Sequence, residues 1–174
     1  MVVAHTDIKF YKSTPSTGSP QNLGGAISAV EINKNMDAAN PIYNQIFRDF
    51  TDIERKNGAF QFHCFFIRNQ HGSLTVTGGK LWFASVTPNS ETYARMGLET
   101  NAKNTPAHTI ANDISLPSGI DLETRHNAKG ESIDLPSLAP SDYVGIWVAI
   151  ECKPSAPKYN KDGFEIRCDF TSPP

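Results

Sequence analysis

Alternation with a period of two dominates this chain. Over residues 143–152, Val144, Ile146, Val148, Ile150 and Cys152 share one apolar face, and Tyr143, Gly145, Trp147, Ala149 and Glu151 share the other. Over 164–170, Phe164, Ile166, Cys168 and Phe170 point one way and Glu165, Arg167 and Asp169 the other. Successive side chains of an extended chain point to opposite sides, so both runs are predicted strands, the second with a solvent face. A Pro-rich connection over 153–162 joins them, and they read as an antiparallel pair. Residues 60–68 set Phe60, Phe62, Cys64 and Phe66 against Gln61, His63, Phe65 and Ile67. Both faces are largely apolar, which predicts a strand covered on both sides.

Shorter runs at 7–12, 26–32, 92–98, 109–114 and 120–124 predict further strands. Gly78-Gly79 separates 74–77 from 80–87, as a tight hairpin or as a kink in one longer strand. Ile46, Phe47, Phe50 and Ile53 fall at helical spacing, so 44–53 reads as either a short helix or an irregular strand. Polar stretches at 13–22, 33–40 and 125–132 are loops. The sum is an all-β chain, a jelly-roll-like antiparallel β-sandwich of about eight strands with at most one short helix. Residues 1–22 read as an N-terminal strand with a mobile arm, and 23–174 as a single sandwich domain.

A length of 174 residues suits one domain whose core needs no staples. The net charge of −2 gives no electrostatic reason to expect nucleic acid or an anionic membrane as partner. No apolar run approaches the ~20 residues of a membrane span, and the start lacks the basic-then-apolar order of a secretory leader. Cys64, Cys152 and Cys168 are odd in number and each sits in an apolar run. They are expected as buried thiols in a reducing compartment rather than as a disulfide framework.

Candidate chemistry is sparse. None of His5, His63, His71, His108 and His126 stands at metal-ligand spacing. Asp113, Asp121, Glu123 and Asp134 offer oxygen ligands for a loop-bound Ca²⁺, but without an Asp-x-Asp-x-Asp-Gly run. There is no phosphate-cradling glycine loop and no nucleophile elbow. The expectation is no catalytic residue, no cofactor, no metal and no enzyme. The aromatics Tyr11, Tyr93, Tyr143, Trp147 and Tyr159 read as exposed, either a sugar-binding platform or else core edge or subunit contacts. Phe10, Tyr11, Phe65, Tyr143 and Trp147 are the interface candidates.

Several segments together carry a resemblance. They are Asp7-Ile8-Lys9-Phe10-Tyr11-Lys12-Ser13, Leu23-Gly24-Gly25-Ala26-Ile27-Ser28, and Phe66-Ile67-Arg68-Asn69 followed by Gly72 and Leu74-Thr75-Val76. Thr87-Pro88, Gly97-Leu98, Pro117-Ser118-Gly119-Ile120, Leu138 and Asp142-Tyr143-Val144-Gly145-Ile146-Trp147-Val148 continue it in order. The chain resembles small virion structural proteins of tailed bacteriophages. It departs from them in a longer 13–21 link and in Ala149-Ile150-Glu151, where a basic residue is expected nearby.

The resemblance implies a capsid decoration (cement) protein that binds and stabilises the outer shell. Its partners would be the major capsid protein and copies of itself, as a trimer or dimer, since a symmetric capsid axis needs a symmetric plug. A tail, neck or baseplate component and a carbohydrate-binding sandwich on the particle surface are the alternatives. The location implied is the virion, after synthesis in the host cytoplasm. Residues 1–22 are expected to act as an arm that orders on the shell, so that deleting 1–20 leaves the fold intact.

Overall fold

The computed structural model describes residues 3–14, 22–32, 45–86, 90–158 and 163–171. Its strands are β1 (Ile8–Ser13), β2 (Gly24–Gly25), β3 (Ile27–Glu31), β4 (Ala59–Asn69), β5 (Thr77–Ser85), β6 (Thr92–Leu98), β7 (Ala107–Thr109), β8 (Ile133–Leu135), β9 (Tyr143–Cys152) and β10 (Glu165–Thr171). A short helix, α1 (Asp52–Asn57), precedes β4. One sheet runs β3-β1-β4-β9-β6, a second β10-β5-β8, and β2 pairs with β7 in a small ribbon. Every strand pairing is antiparallel.

The long alternating strands form the spine. β4 and β9 pair from Ala59↔Cys152 to Arg68↔Tyr143. Both then leave the five-stranded sheet, meet again at the Val76↔Leu138 bridge, and continue as β5 and β8 in the second sheet. A single antiparallel ribbon therefore bends across both layers, which is the jelly-roll-like feature of the sandwich. Asn69 holds the bend. It is fully buried, its Nδ2 donates to Leu74 O at 2.8 Å and Leu138 O at 2.9 Å, and its Oδ1 accepts from His71 N at 2.9 Å. The Asn69 of the quoted strand–turn–strand motif is thus the residue that satisfies the backbone where the ribbon changes sheet.

Two cores result, because both faces of the five-stranded sheet are covered. Between the sheets, Phe65, Ile67, Met96, Val144, Ile146 and Val148 pack on Leu81, Phe83, Ile133 and Leu135. On the opposite face, Phe62, Cys64, Phe66, Trp147 and Ala149 pack under Ala107, Ile110, Ile120 and Leu122. Each fully buried side chain of this size contributes about 1.5–3 kcal/mol relative to exposure.

Several expectations need correction. β10 does not pair with β9. It pairs with β5, from Glu165↔Ser85 to Thr171↔Thr77, so the Pro-rich connection crosses between sheets. Cys152 and Cys168 consequently lie in different sheets, and the three cysteines form no disulfide. Gly78, at φ +58°, lies within β5, next to a register shift opposite Asp169–Thr171. The glycine pair is therefore a kink in one strand. The expected strand at 109–114 shrinks to β7, and 120–124 carries no strand.

Helical spacing at 44–53 also misleads. Residues 47–50 are irregular; Phe47 is buried in the core between the sheets and Ile46, half-buried, packs against it. The helix begins at Asp52, where Thr51 and Glu54 form a reciprocal capping box, and Ile53 is 72% exposed. β1 is no arm. It lies between β3 and β4 and is interior to the sheet. The expected link at 15–21, the polar stretch at 33–40 and Tyr159 lie outside the described residues.

Candidate functional site

The irregular segment after β6 closes over one face of the five-stranded sheet, and a single carboxylate fastens it there. Glu99 follows β6 directly, and its N–H donates to Gly145 O at 3.0 Å. Its side chain, 2% exposed, turns inward. Oε2 accepts from Trp147 Nε1 at 2.8 Å and from His108 N at 2.9 Å. Oε1 accepts from Asn101 N at 2.9 Å and stands 2.6 Å from His108 Nδ1. Burial pushes this carboxyl upward; the bonds from Asn101, Trp147 and His108 outweigh it and hold Glu99 below the ordinary carboxylate range. Four partners occupy both oxygens, so the group is a clasp rather than an acid or base for a substrate. Cys64 lies in the same layer. Burial, with the Glu99 charge adding to it, pushes its thiol well up, which removes it as a nucleophile.

Acid should undo this arrangement. Arg48, bonded at 2.6 Å to Glu54, holds that carboxyl at about 2 against burial, with help from Thr51. Lys103, at 2.5 Å, lowers Asp142. Each group binds its proton less readily folded than unfolded, so the stability it contributes is full above its unfolded pKa and is lost as pH falls through the folded value. For Glu54 that window runs from 4.5 to about 2. The unfolding midpoint in urea is expected to be flat near neutrality and to drop steadily below about pH 5. A midpoint unchanged down to about pH 3 would contradict the clasp.

The cover stops short at one end of the sheet and leaves an open groove of about 850 Å³. Phe60, Phe62, Arg95 and Ala149 form its floor, and Ile114, Leu116 and 119–123 its wall. Local backbone explains the position. β1 pairs with β4 only over 65–69, so further along β4 the Phe62 and Cys64 N–H groups donate to Asp113 O and Asn22 O, each at 2.6 Å. That seats the wall beside Phe62. At the other side, Ile120 and Asp121 press on Gly97, where an added Cβ would lie 2.1 Å from Asp121 O. Only glycine permits this approach.

Six large hydrophobic side chains are exposed among the described residues, and three of them, Phe60, Ile114 and Leu116, line this groove. Clustering of this kind marks contact surfaces, whereas scattered exposed apolar residues need no explanation. Arg95 is paired with Glu151 at 2.5 Å. Beside it, Arg125 and Lys153 stand 4.1 Å and 4.6 Å from the centre of the Tyr93 ring.

The interface candidates divide. Phe65 and Trp147 are 0% exposed, Phe65 between the sheets and Trp147 under the irregular cover, so neither has surface to offer a subunit or a sugar. That corrects the outward reading of Trp147. Phe10, Tyr11 and Tyr143 are half-buried: Phe10 packs 5.7 Å from Phe65, Tyr143 5.5 Å from Phe66, and Tyr11 Oη accepts from Gln70. Glu99, Phe60, Ile114 and Leu116 are not among the site candidates that the sequence offers. The only cue to Glu99 was a lone acid after an apolar strand, and to the wall an isoleucine and a leucine two apart in polar text.

The candidate oxygen ligands do not gather. Asp113 is tied to Arg48 and Asp134 to Lys80, while Asp121 and Glu123 stand at the groove. Among the described residues no three His, Cys, Asp or Glu side chains converge as a metal site, and no helix is long and apolar enough to cross a membrane. No family model, no curated protein and no solved structure matches the chain.

Proposed function

We propose that the chain is a structural protein of a bacteriophage particle, a capsid decoration protein that binds the outer shell as a small symmetric oligomer. Its partners are the major capsid protein and its own copies. The motif resemblance supports this reading, and so does the use of the ionisable groups. Glu99, Asp142, Arg48 and Glu54 are each engaged in holding loops and termini of the fold.

The observation that carries the proposal is the groove, with three exposed apolar side chains on the exterior of a sandwich. Such a surface suits a protein partner better than a reacting substrate, since it offers apolar area rather than a converging acid, base or nucleophile. Replacing Ile114 and Leu116 together by Asp should leave the fold intact, because both side chains are more than half exposed. Attachment to particles lacking the protein is expected to fall by about tenfold or more. Undiminished occupancy would remove the groove from the attachment surface. Copy number on purified particles separates the shell, with many copies, from a tail or neck, with a handful.

A further inference from the structure

We propose that copies of this chain join through the groove: the exposed face of α1 in one copy seats in the groove of the next, with Ile53 on the apolar lining and Lys56 against Asp121 and Glu123. The inference rests on the groove being a protein-contact surface and assigns that surface to a second copy. It does not depend on which particle, if any, the copies join.

α1 is built as a projection. It buries none of its six residues, so packing does not hold it. A helix this short is unfavourable without outside ties, because nucleation costs more than one turn returns. The ties are the Thr51–Glu54 capping box and Arg48, which bonds the two oxygens of Glu54 at 2.8 and 2.6 Å. What they hold out to solvent is Ile53, the most exposed of the large hydrophobic side chains described. Lys56 follows at i+3, on the same helix face.

The groove supplies the complement. Phe60, Ile114 and Leu116 expose apolar surface there, and a space of about 850 Å³ is wider than one aliphatic side chain and takes the helical turn that carries it. Its charge is negative. Arg95 on the floor is neutralised by Glu151. Asp121 and Glu123 on the wall are exposed and have no ion-pair partner among the described residues. Around Ile53 the surplus has the opposite sign. Arg55 and Lys158 share the single carboxylate of Asp52, and Lys56 has no ion-pair partner among the described residues. An apolar knob with spare positive charge thus matches an apolar groove with spare negative charge. Ile53 is not part of the lining in its own chain, so the knob is left for a neighbour. Knob and groove are different patches, so the contact is heterologous and repeats until a ring closes. Loss of particle attachment on changing Ile114 and Leu116 would then follow from the ring coming apart.

Sedimentation velocity of the purified chain, without particles, tests this. The wild type is expected to self-associate. Ile53→Asp, which removes the knob, and Ile114→Asp with Leu116→Asp, which removes the groove, should each weaken association about tenfold or more. Mixed in equal amounts, the two should form one-to-one dimers and nothing larger, because only one intact knob meets one intact groove. Lys56→Glu and Glu123→Lys alone should each weaken association about three- to tenfold, and the chain carrying both should recover it. All these positions are exposed, and circular dichroism checks that each variant is folded. A wild type that stays monomeric at its solubility limit, folded single variants that associate like the wild type, a mixture that stays monomeric, or a double charge variant no tighter than its parents would each overturn the proposal. The two readings fail separately. A chain that forms rings but never binds a particle refutes the particle role alone, and a monomeric chain that loses attachment with Ile114 and Leu116 refutes the self-contact alone.

Discussion

Replacing Trp147 by Ala is expected to destabilise the protein by about 3–5 kcal/mol, the range for deleting a large buried aromatic side chain. The ring is 0% exposed at the centre of the second core, packed with Cys64, Phe66, Ile110 and Ile120. Its removal also takes a donor from the Glu99 carboxylate, and loss of one partner from a buried acceptor costs about 1–3 kcal/mol. Trp147→Phe separates the two contributions, since it keeps most of the ring volume and removes only the N–H. It should cost less than Ala and shift the low-pH decline, because a Glu99 with fewer donors lies closer to its ordinary pKa. Urea unfolding at pH 7 and pH 4 measures both. A Trp147→Ala midpoint equivalent to within about 0.5 kcal/mol of the wild type is what a surface residue would give, and it would show that this face is not a core.

The contrast between β9 and the segment that covers it explains which parts of the molecule could be read in advance. β4, β6 and β9 declare themselves because strand periodicity is local: each residue's facing follows from its neighbours. The partner of a strand is not local. β10 alternates as clearly as β9 and follows it in sequence, yet its inner face of Ile166, Cys168 and Phe170 is satisfied by the core between the sheets, opposite β9 rather than beside it. Trp147 was misplaced for a related reason. Its neighbours at two-residue spacing are Gly145, Ala149, Tyr143 and Glu151, which look like an outward face. What buries it is the irregular stretch from Glu99 to Leu122, held by side-chain and backbone bonds at single points and showing no period at all. The small residues around Trp147 and opposite it, Gly97 and Gly145, were the available sign, since small side chains beside a large ring leave room for a covering layer.

Removing residues 1–13 is expected to abolish the cooperative fold, contrary to the behaviour of a detachable arm. β1 pairs with β4 from Ile8↔Asn69 to Lys12↔Phe65 on one side and with β3 on the other. Ile8 is buried, Phe10 rests on Phe65, and the fully buried Ser13 accepts from Gly24 N through Oγ at 3.1 Å. Lys9 also bonds Glu31 of β3 at 2.8 Å. Without β1, β3 has no partner, the backbone of β4 loses one side of its ladder, and Phe65 and Ile67 open toward water. Two lost apolar side chains alone are worth about 3–6 kcal/mol at ordinary transfer energies, against a total stability of about 5–15 kcal/mol for a domain. Circular dichroism of the truncated chain should therefore show no cooperative thermal transition. A peptide of residues 3–14 added in excess should restore one to whatever fraction stays soluble, as strand complementation requires. A truncated protein that melts like the full chain and only fails to bind particles would return this segment to the role of an arm and take β1 out of the sheet.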